Sequence, residues 1–123
     1  MRLTRRKFER LVRQAFESLP PYMADAIDNV AILVEDWPDD RDLQATGVPV
    51  DSQLFGLYTG VPLSERGGWQ PPLPDKITLF QRHIEGVCVS REQVVHEVRV
   101  TLLHEVGHYL GMSEDDLERL GYG

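Results

Sequence analysis

Apolar positions recur at helical spacing through residues 4–19, where Phe8, Leu11, Val12, Ala15, Phe16 and Leu19 share one face. Thr4 is placed to cap this helix, and Pro20-Pro21 stops it. A second short helix is expected over 21–28, opening on a proline. The pattern then changes: Val30–Glu35 is apolar and β-branched and reads as a strand. Residues 36–52 are acidic, carry Pro38, Gly47 and Pro49, and read as a loop. Leu54–Thr59 reads as a second strand and Lys76–Arg82 as a third. Between them, residues 60–75 hold three glycines and four prolines around Trp69, a stretch that suits a substrate-binding or lid segment as well as a plain connection. Ser90 can cap the next helix, with Gln93 completing a capping box. That helix runs to about Leu110 and ends on Gly111. Ser113 caps a last helix over 114–120, whose first turn is acidic.

No internal repeat or linker interrupts this order, so the 123 residues read as one domain, 1–123. The net charge of -7 argues against bulk nucleic-acid binding, which needs a basic surplus. The charge is uneven: Arg2, Arg5, Arg6, Lys7, Arg10 and Arg13 crowd the first helix, while Glu35, Asp36, Asp39, Asp40, Asp42 and Asp51 crowd the first long loop. A solvated basic face and a solvated acidic loop account for both. The lone cysteine, Cys88, cannot form an internal disulfide and reads as a small core residue. The charged N-terminus shows no secretory pattern, and the longest apolar run, Val30–Val34, is far too short for a membrane. A cytoplasmic protein with no membrane partner is the default expectation.

The segment with chemistry is His104-Glu105-Val106-Gly107-His108. Four residues of helix advance about 400°, so the two histidines face one side, one turn apart. Two imidazoles so placed can converge on a single zinc ion, which takes them at about 2.0–2.1 Å in tetrahedral geometry. Glu105 lies about 100° around the helix from His104 and need not be a ligand. It is placed instead to take a proton from a water on the metal's open position. The expected cofactor is therefore one Zn2+ per chain, and the expected chemistry is hydrolysis of a polarised carbonyl.

A third protein ligand is required. His83 and His96 qualify by type alone, and His96 sits about 80° from His104 on a helical wheel. Gly111 lets the chain turn back and bring Glu114, Asp115 and Asp116 toward the histidines. Glu114 is the leading candidate and Asp116 the second, although the same acids also suit the first turn after the Ser113 cap. The wheel sets Val95, Val98, Leu102, Val106, Tyr109 and Leu110 opposite His104 and His108, with Glu97 and Thr101 on the histidine side. The long helix thus divides into a core face and a polar face, with the motif on the polar one.

On these residues the chain resembles the zincin metallopeptidases. More narrowly, it resembles a small bacterial family of zincin-like metallopeptidases. The resemblance runs through Leu54–Leu63 with Glu65-Arg66, Leu73–Phe80, Val98–Gly111 and Asp116–Tyr122, most of residues 50–122. It implies an α+β fold: a minimal zincin, with a small twisted sheet of about three to four strands, N-terminal helices and an active-site helix under a cleft. It carries His104 and His108 over as ligands and Glu105 as the base. Glutamate at 114 departs from the related metzincin pattern, which has histidine or aspartate there. The implied activity is zinc-dependent hydrolysis of a peptide or protein substrate, laid as an added strand along a sheet edge. Lys76–Arg82 is the expected edge, and Tyr22, Tyr58 and Tyr109 are candidates to stabilise the oxyanion. The alternative is a zinc-binding or inactive zincin-like protein that acts through protein interaction.

Overall fold

Thr4 accepts a hydrogen bond from the Lys7 amide at 3.2 Å and so starts α1 (Arg5–Glu17). This first helix buries Phe8, Val12 and Ala15 on the face that the spacing marks. Pro21 opens α2 (Pro21–Ala26), which buries Met23. The computed structural model describes residues 1–27, 29–46, 54–60 and 75–121. The remaining elements are β1 (Ala31–Glu35), α3 (Asp40–Thr46), β2 (Gly56–Thr59), β3 (Lys76–Phe80), α4 (Gln81–Gly86), α5 (Arg91–Tyr109) and α6 (Glu114–Arg119). The fold is α+β.

The three strands form one mixed sheet in the order β1-β3-β2. β1 runs parallel to β3, with Ile32 opposite Ile77 and Val34 opposite Leu79. β2 runs antiparallel to β3, with Leu57 opposite Thr78 and Tyr58 opposite Ile77. β3 is therefore the central strand, and Ile77, Thr78, Leu79 and Phe80 are all buried. This corrects the expectation that Lys76–Arg82 is the edge for an added strand. Both edges of β3 are already paired, and the edges of the sheet are β1 and β2.

Two helices replace expected loop or strand. Asp39 and Asp42 exchange side-chain to amide hydrogen bonds at 2.8 and 2.9 Å, a reciprocal cap that turns part of the acidic loop into α3. Residues 47–53 and the 61–74 stretch of the glycine- and proline-rich segment lie outside the described residues. The third strand stops at Phe80, because Gln81 and Glu85 are drawn into a buried polar hub one helical turn apart. Glu85 Oε1 accepts from Gln81 Nε2 at 2.7 Å and from the Leu3 amide at 3.0 Å, and Arg82 pairs with Glu85 Oε2 at 3.0 Å. Arg5 bridges this hub to the end of β1, donating to Gln81 Oε1, the Val34 carbonyl and Asp36 Oδ1. The basic helix and the acidic segment thus meet at Asp36 rather than standing apart in solvent.

α5 runs through the middle of the molecule, against α1, α2, α4 and the β2–β3 side of the sheet. Ser90 caps it by accepting from the Gln93 amide at 3.2 Å, and Gln93 Oε1 reaches back to the Val89 amide at 2.7 Å. Val94, Val98, Leu102, Leu103, Val106 and Tyr109 are buried, and so are Thr101 and Glu105. The expected core face is buried and the histidines opposite it stay partly exposed, but the polar side is not left open as a whole, because Thr101 and Glu105 are buried too. β2 covers the flank that carries Thr101 and Glu105, so the helix is wrapped on two sides. Cys88 joins the core, as its size allows. No helix among the described residues is long and apolar enough to cross a membrane.

Candidate metal centre

The last turn of α5 brings His104 and His108 together as the one-turn spacing requires, their Nε2 atoms 3.0 Å apart. The rings meet edge to face, with centroids 4.7 Å apart. Tyr109 and Leu110 then end the helix, and Gly111 takes a φ of +87°, which a side chain would resist. The Gly111 amide donates to the His108 carbonyl at 3.0 Å, and the Met112 amide to the Gly107 carbonyl at 2.8 Å. This paired closure is a Schellman turn, and it reverses the chain directly after the second histidine.

The reversed chain starts α6, capped by Ser113, and its first residue is Glu114. Glu114 Oε1 stands 3.0 Å from His108 Nε2 and 3.4 Å from His104 Nε2. Asp116, the second candidate, is taken up elsewhere. Its Oδ2 accepts from the Ser113 amide at 3.1 Å, its own amide donates to Ser113 Oγ, and its other oxygen pairs with Arg119. The capping box and the arginine hold its carboxyl below the usual range, the Ser113 hydrogen bonds contributing most. In the register of α6, position 116 serves the cap and position 114 faces the histidines.

α6 itself is seated by Leu117, its one buried residue. A Cβ on Gly107 would lie 2.2 Å from Leu117 Cδ2, so any side chain at 107 would force Leu117 to shift from its seat against α5.

Glu105 faces the other side of the pair. Its Oε1 accepts from the Tyr58 amide of β2 at 2.8 Å, and its Oε2 lies 4.0 Å from His104 Nε2. That contact needs β2 close to α5. A Cβ on Gly56 would stand 2.5 Å from Thr101 Cγ2, and the missing side chain at 56 gives the strand room. Burial pushes the Glu105 carboxyl up to about 7, against the opposing pull of the Tyr58 amide and His104; the negative Glu114 adds to the rise. Burial and then His104 push the His108 imidazole down from its ordinary value, while Glu114 holds it up. A lowered His108 favours the neutral ring, the form that ligates metals.

Ligand atoms of His104, Glu105 and His108 all lie within 4.8 Å of one another, a grouping that could hold a metal ion. With bonds of about 2.0–2.1 Å at tetrahedral angles, neighbouring donors stand about 3.3–3.4 Å apart. The separations among His104, His108 and Glu114, 3.0–3.4 Å, are close to that spacing. The donor set therefore fits a zinc-sized ion. His104 also lines a cleft of about 640 Å³, together with Leu54, Phe55, Gly56, Val100 and Thr101.

The other candidates lie apart. His83 Nδ1 is hydrogen-bonded to the backbone of Leu54, and its ring meets Trp37 edge-on at 5.2 Å. His96 is exposed, at the far end of the cleft. The Tyr58 hydroxyl donates to Asp75 Oδ1 at 2.8 Å, Tyr109 is buried beside the Tyr58 ring, and Tyr22 lies exposed on α2. The amide of Tyr58, rather than its hydroxyl, touches the site. Sequence reasoning missed this, and its only trace in the sequence is the glycine at 56 within a strand.

No curated protein matches the chain. A solved structure of a conserved hypothetical protein from Thermo thermophilus is similar over 88% of this chain and 94% of that one, with a TM-score of 0.58 and 25% identity. Residues 27–123, a span that takes in the whole sheet and the histidine-bearing helix, match the family described as zincin-like metallopeptidase. With that match over most of its length and the His-Glu-His grouping on α5, the chain belongs to the zincin-like metallopeptidase family.

Proposed function

We propose that the protein is a zinc-dependent peptidase in which His104, His108 and Glu114 hold the metal and Glu105 is the general base. The observation that carries the reading is the convergence of three donors on one point with a fourth, buried carboxylate beside them. Glu114 fits the third ligand better than Glu105, because Glu105 is farther from the pair and tied to β2. Three protein ligands beside an open cleft suit a catalytic site; structural zinc sites are closed by four.

When bound, the zinc would act as a Lewis acid on the scissile carbonyl and make a neighbouring water more acidic. The chain's own part is proton handling. The Tyr58 amide fixes Glu105 Oε1, which leaves Oε2 turned toward the histidines. With its Oε2 turned toward the histidines, the Glu105 carboxylate could take a water's proton and return it to the leaving amine. The substrate would be peptide or protein. Strand addition moves from β3 to β2, the sheet edge beside α5. A cytoplasmic location goes with this reading.

Metal analysis of protein purified without chelator should give about one zinc per chain, and a Glu105→Gln variant should keep the zinc and lose peptide cleavage. Cleavage at equal rates by both proteins would remove the base assignment. Zinc bound without cleavage of a diverse peptide mixture would leave a metal-binding protein acting through interaction. Protein that neither holds zinc nor melts higher with it would remove both.

A further inference from the structure

The cleft beside His104 continues along α5 toward its N-terminus and ends on Glu97 and His96. Between these ends its walls are Leu54 and Phe55 on one side and Val100 and Thr101 on the other. Glu97 is half-buried, and among the described residues no hydrogen bond or ion pair engages its carboxylate. It is not idle electrostatically, because its charge helps raise the Cys88 thiol, after the larger effect of burial.

The spacing identifies what would fill this extension. Glu97 lies two helical turns from His104, about 10.5 Å along the axis. That span is about three residues of extended peptide, or one residue plus a long side chain. Leu54, Phe55 and Val100 supply apolar wall, and the far end carries the Glu97 carboxylate beside His96. Lys and Arg combine an aliphatic stem with a cationic head and match both parts. A neutral polar chain would leave the carboxylate without a counter-charge, and an acidic one would be repelled.

We infer that Glu97 is a specificity residue, and that the cleft selects peptides with Lys or Arg at one fixed position close to the bond aligned with the histidines. This rests on the peptidase reading for the bond, but not for the binding. Glu105 and Glu114 also contribute negative charge near the cleft, so the test must change Glu97 alone.

The probes are amidated, alanine-rich heptapeptides with a single Arg placed at each position in turn, and the same set with citrulline, its neutral near-isostere. Cleavage by the zinc-loaded full chain and binding to the full chain by fluorescence anisotropy are both read. In the wild type, Arg should be favoured over citrulline at one position by about fivefold or more, the scale of one partly exposed ion pair. In Glu97→Gln that ratio should fall toward one, and in Glu97→Lys a glutamate-bearing peptide should become the better one. Cleavage with no Arg preference, or with a preference that survives Glu97→Gln, overturns the inference and leaves the peptidase reading standing. No cleavage, but Arg-selective binding lost in Glu97→Gln, supports the inference and removes the peptidase reading. Neither cleavage nor selective binding overturns both.

Discussion

Leu117 fills the space that a side chain on Gly107 would need, with Leu117 Cδ2 2.2 Å from where that Cβ would stand. Through this contact, the glycine inside the histidine motif seats α6 and brings its first residue, Glu114, to 3.0 Å from His108 Nε2. By omitting a side chain, the motif glycine thus places a carboxylate beside the two imidazoles.

Gly107→Ala should lower both stability and zinc affinity. Alanine in a helix interior ordinarily stabilises by about 1 kcal/mol over glycine. Here the methyl group would collide with Leu117, and overpacking of this kind costs about 1–3 kcal/mol. A zinc affinity about tenfold weaker by chelator competition, with a lower melting temperature, is expected. A variant that binds zinc normally and melts higher would show that α6 is not seated this way.

Glu114 and Asp116 should separate cleanly on mutation. Glu114→Ala should weaken zinc binding by about 100-fold with little loss of metal-free stability, because its side chain is 65% exposed. Asp116→Asn should lower the melting temperature slightly through the capping box and keep zinc affinity within about threefold. The reverse pattern would make Asp116 the ligand. In the wild type, affinity should fall below about pH 6 as protons compete for the imidazoles, and a flat profile from pH 5 to 8 would argue against histidine ligation.

Glu105 should make the metal-free protein less stable as the pH rises. Its folded value, about 7, lies above its unfolded value, so between the two the folded state binds more protons. Stability from this group is then full below about pH 4.5 and is lost on passing to pH 7, by an amount on the order of 3 kcal/mol. Glu105→Gln imitates the protonated acid and can still accept from the Tyr58 amide. In chelator it should melt above the wild type at pH 8 and level with it near pH 4. The same difference at both pH values would exclude burial of the charge as the cause.

Asp36 acts with the opposite sign. The Arg5 hydrogen bond, supported by the charge of Arg82, holds its carboxyl below the usual value. The stabilisation is present above the unfolded value of about 3.9 and is lost as the pH falls through the lower folded value. Asp36→Asn should lower the urea midpoint at pH 7 and leave it unchanged near pH 2, with a smaller effect in high salt. An equal loss at both pH values would point to hydrogen bonding rather than charge.

Local features were legible in the sequence because they depend on short stretches of chain. Thr4, Ser90 and Ser113 cap their helices as their residue types suggest, and the one-turn spacing of His104 and His108 brings their nitrogens together. The α3 and α4 helices were not legible. Asp39 and Asp42 cap each other inside what composition marks as a loop. Gln81 and Glu85 owe their helix partly to Leu3, at the other end of the chain.

By itself, the sequence determined a histidine pair with a glutamate on one helix, a glycine reversal after it, and a choice of acids beyond. Those follow from the fixed rise and rotation of a helix and from the freedom of one glycine. Only the tertiary structure decided that β3 is central, that β2 presents its amide to Glu105, and that Glu114 rather than Asp116 faces the histidines. The first depends on strand pairing between distant segments, and the other two on how closely two elements can approach, at Gly56 against Thr101 and at Gly107 against Leu117, between atoms far apart in the chain or across a reversal.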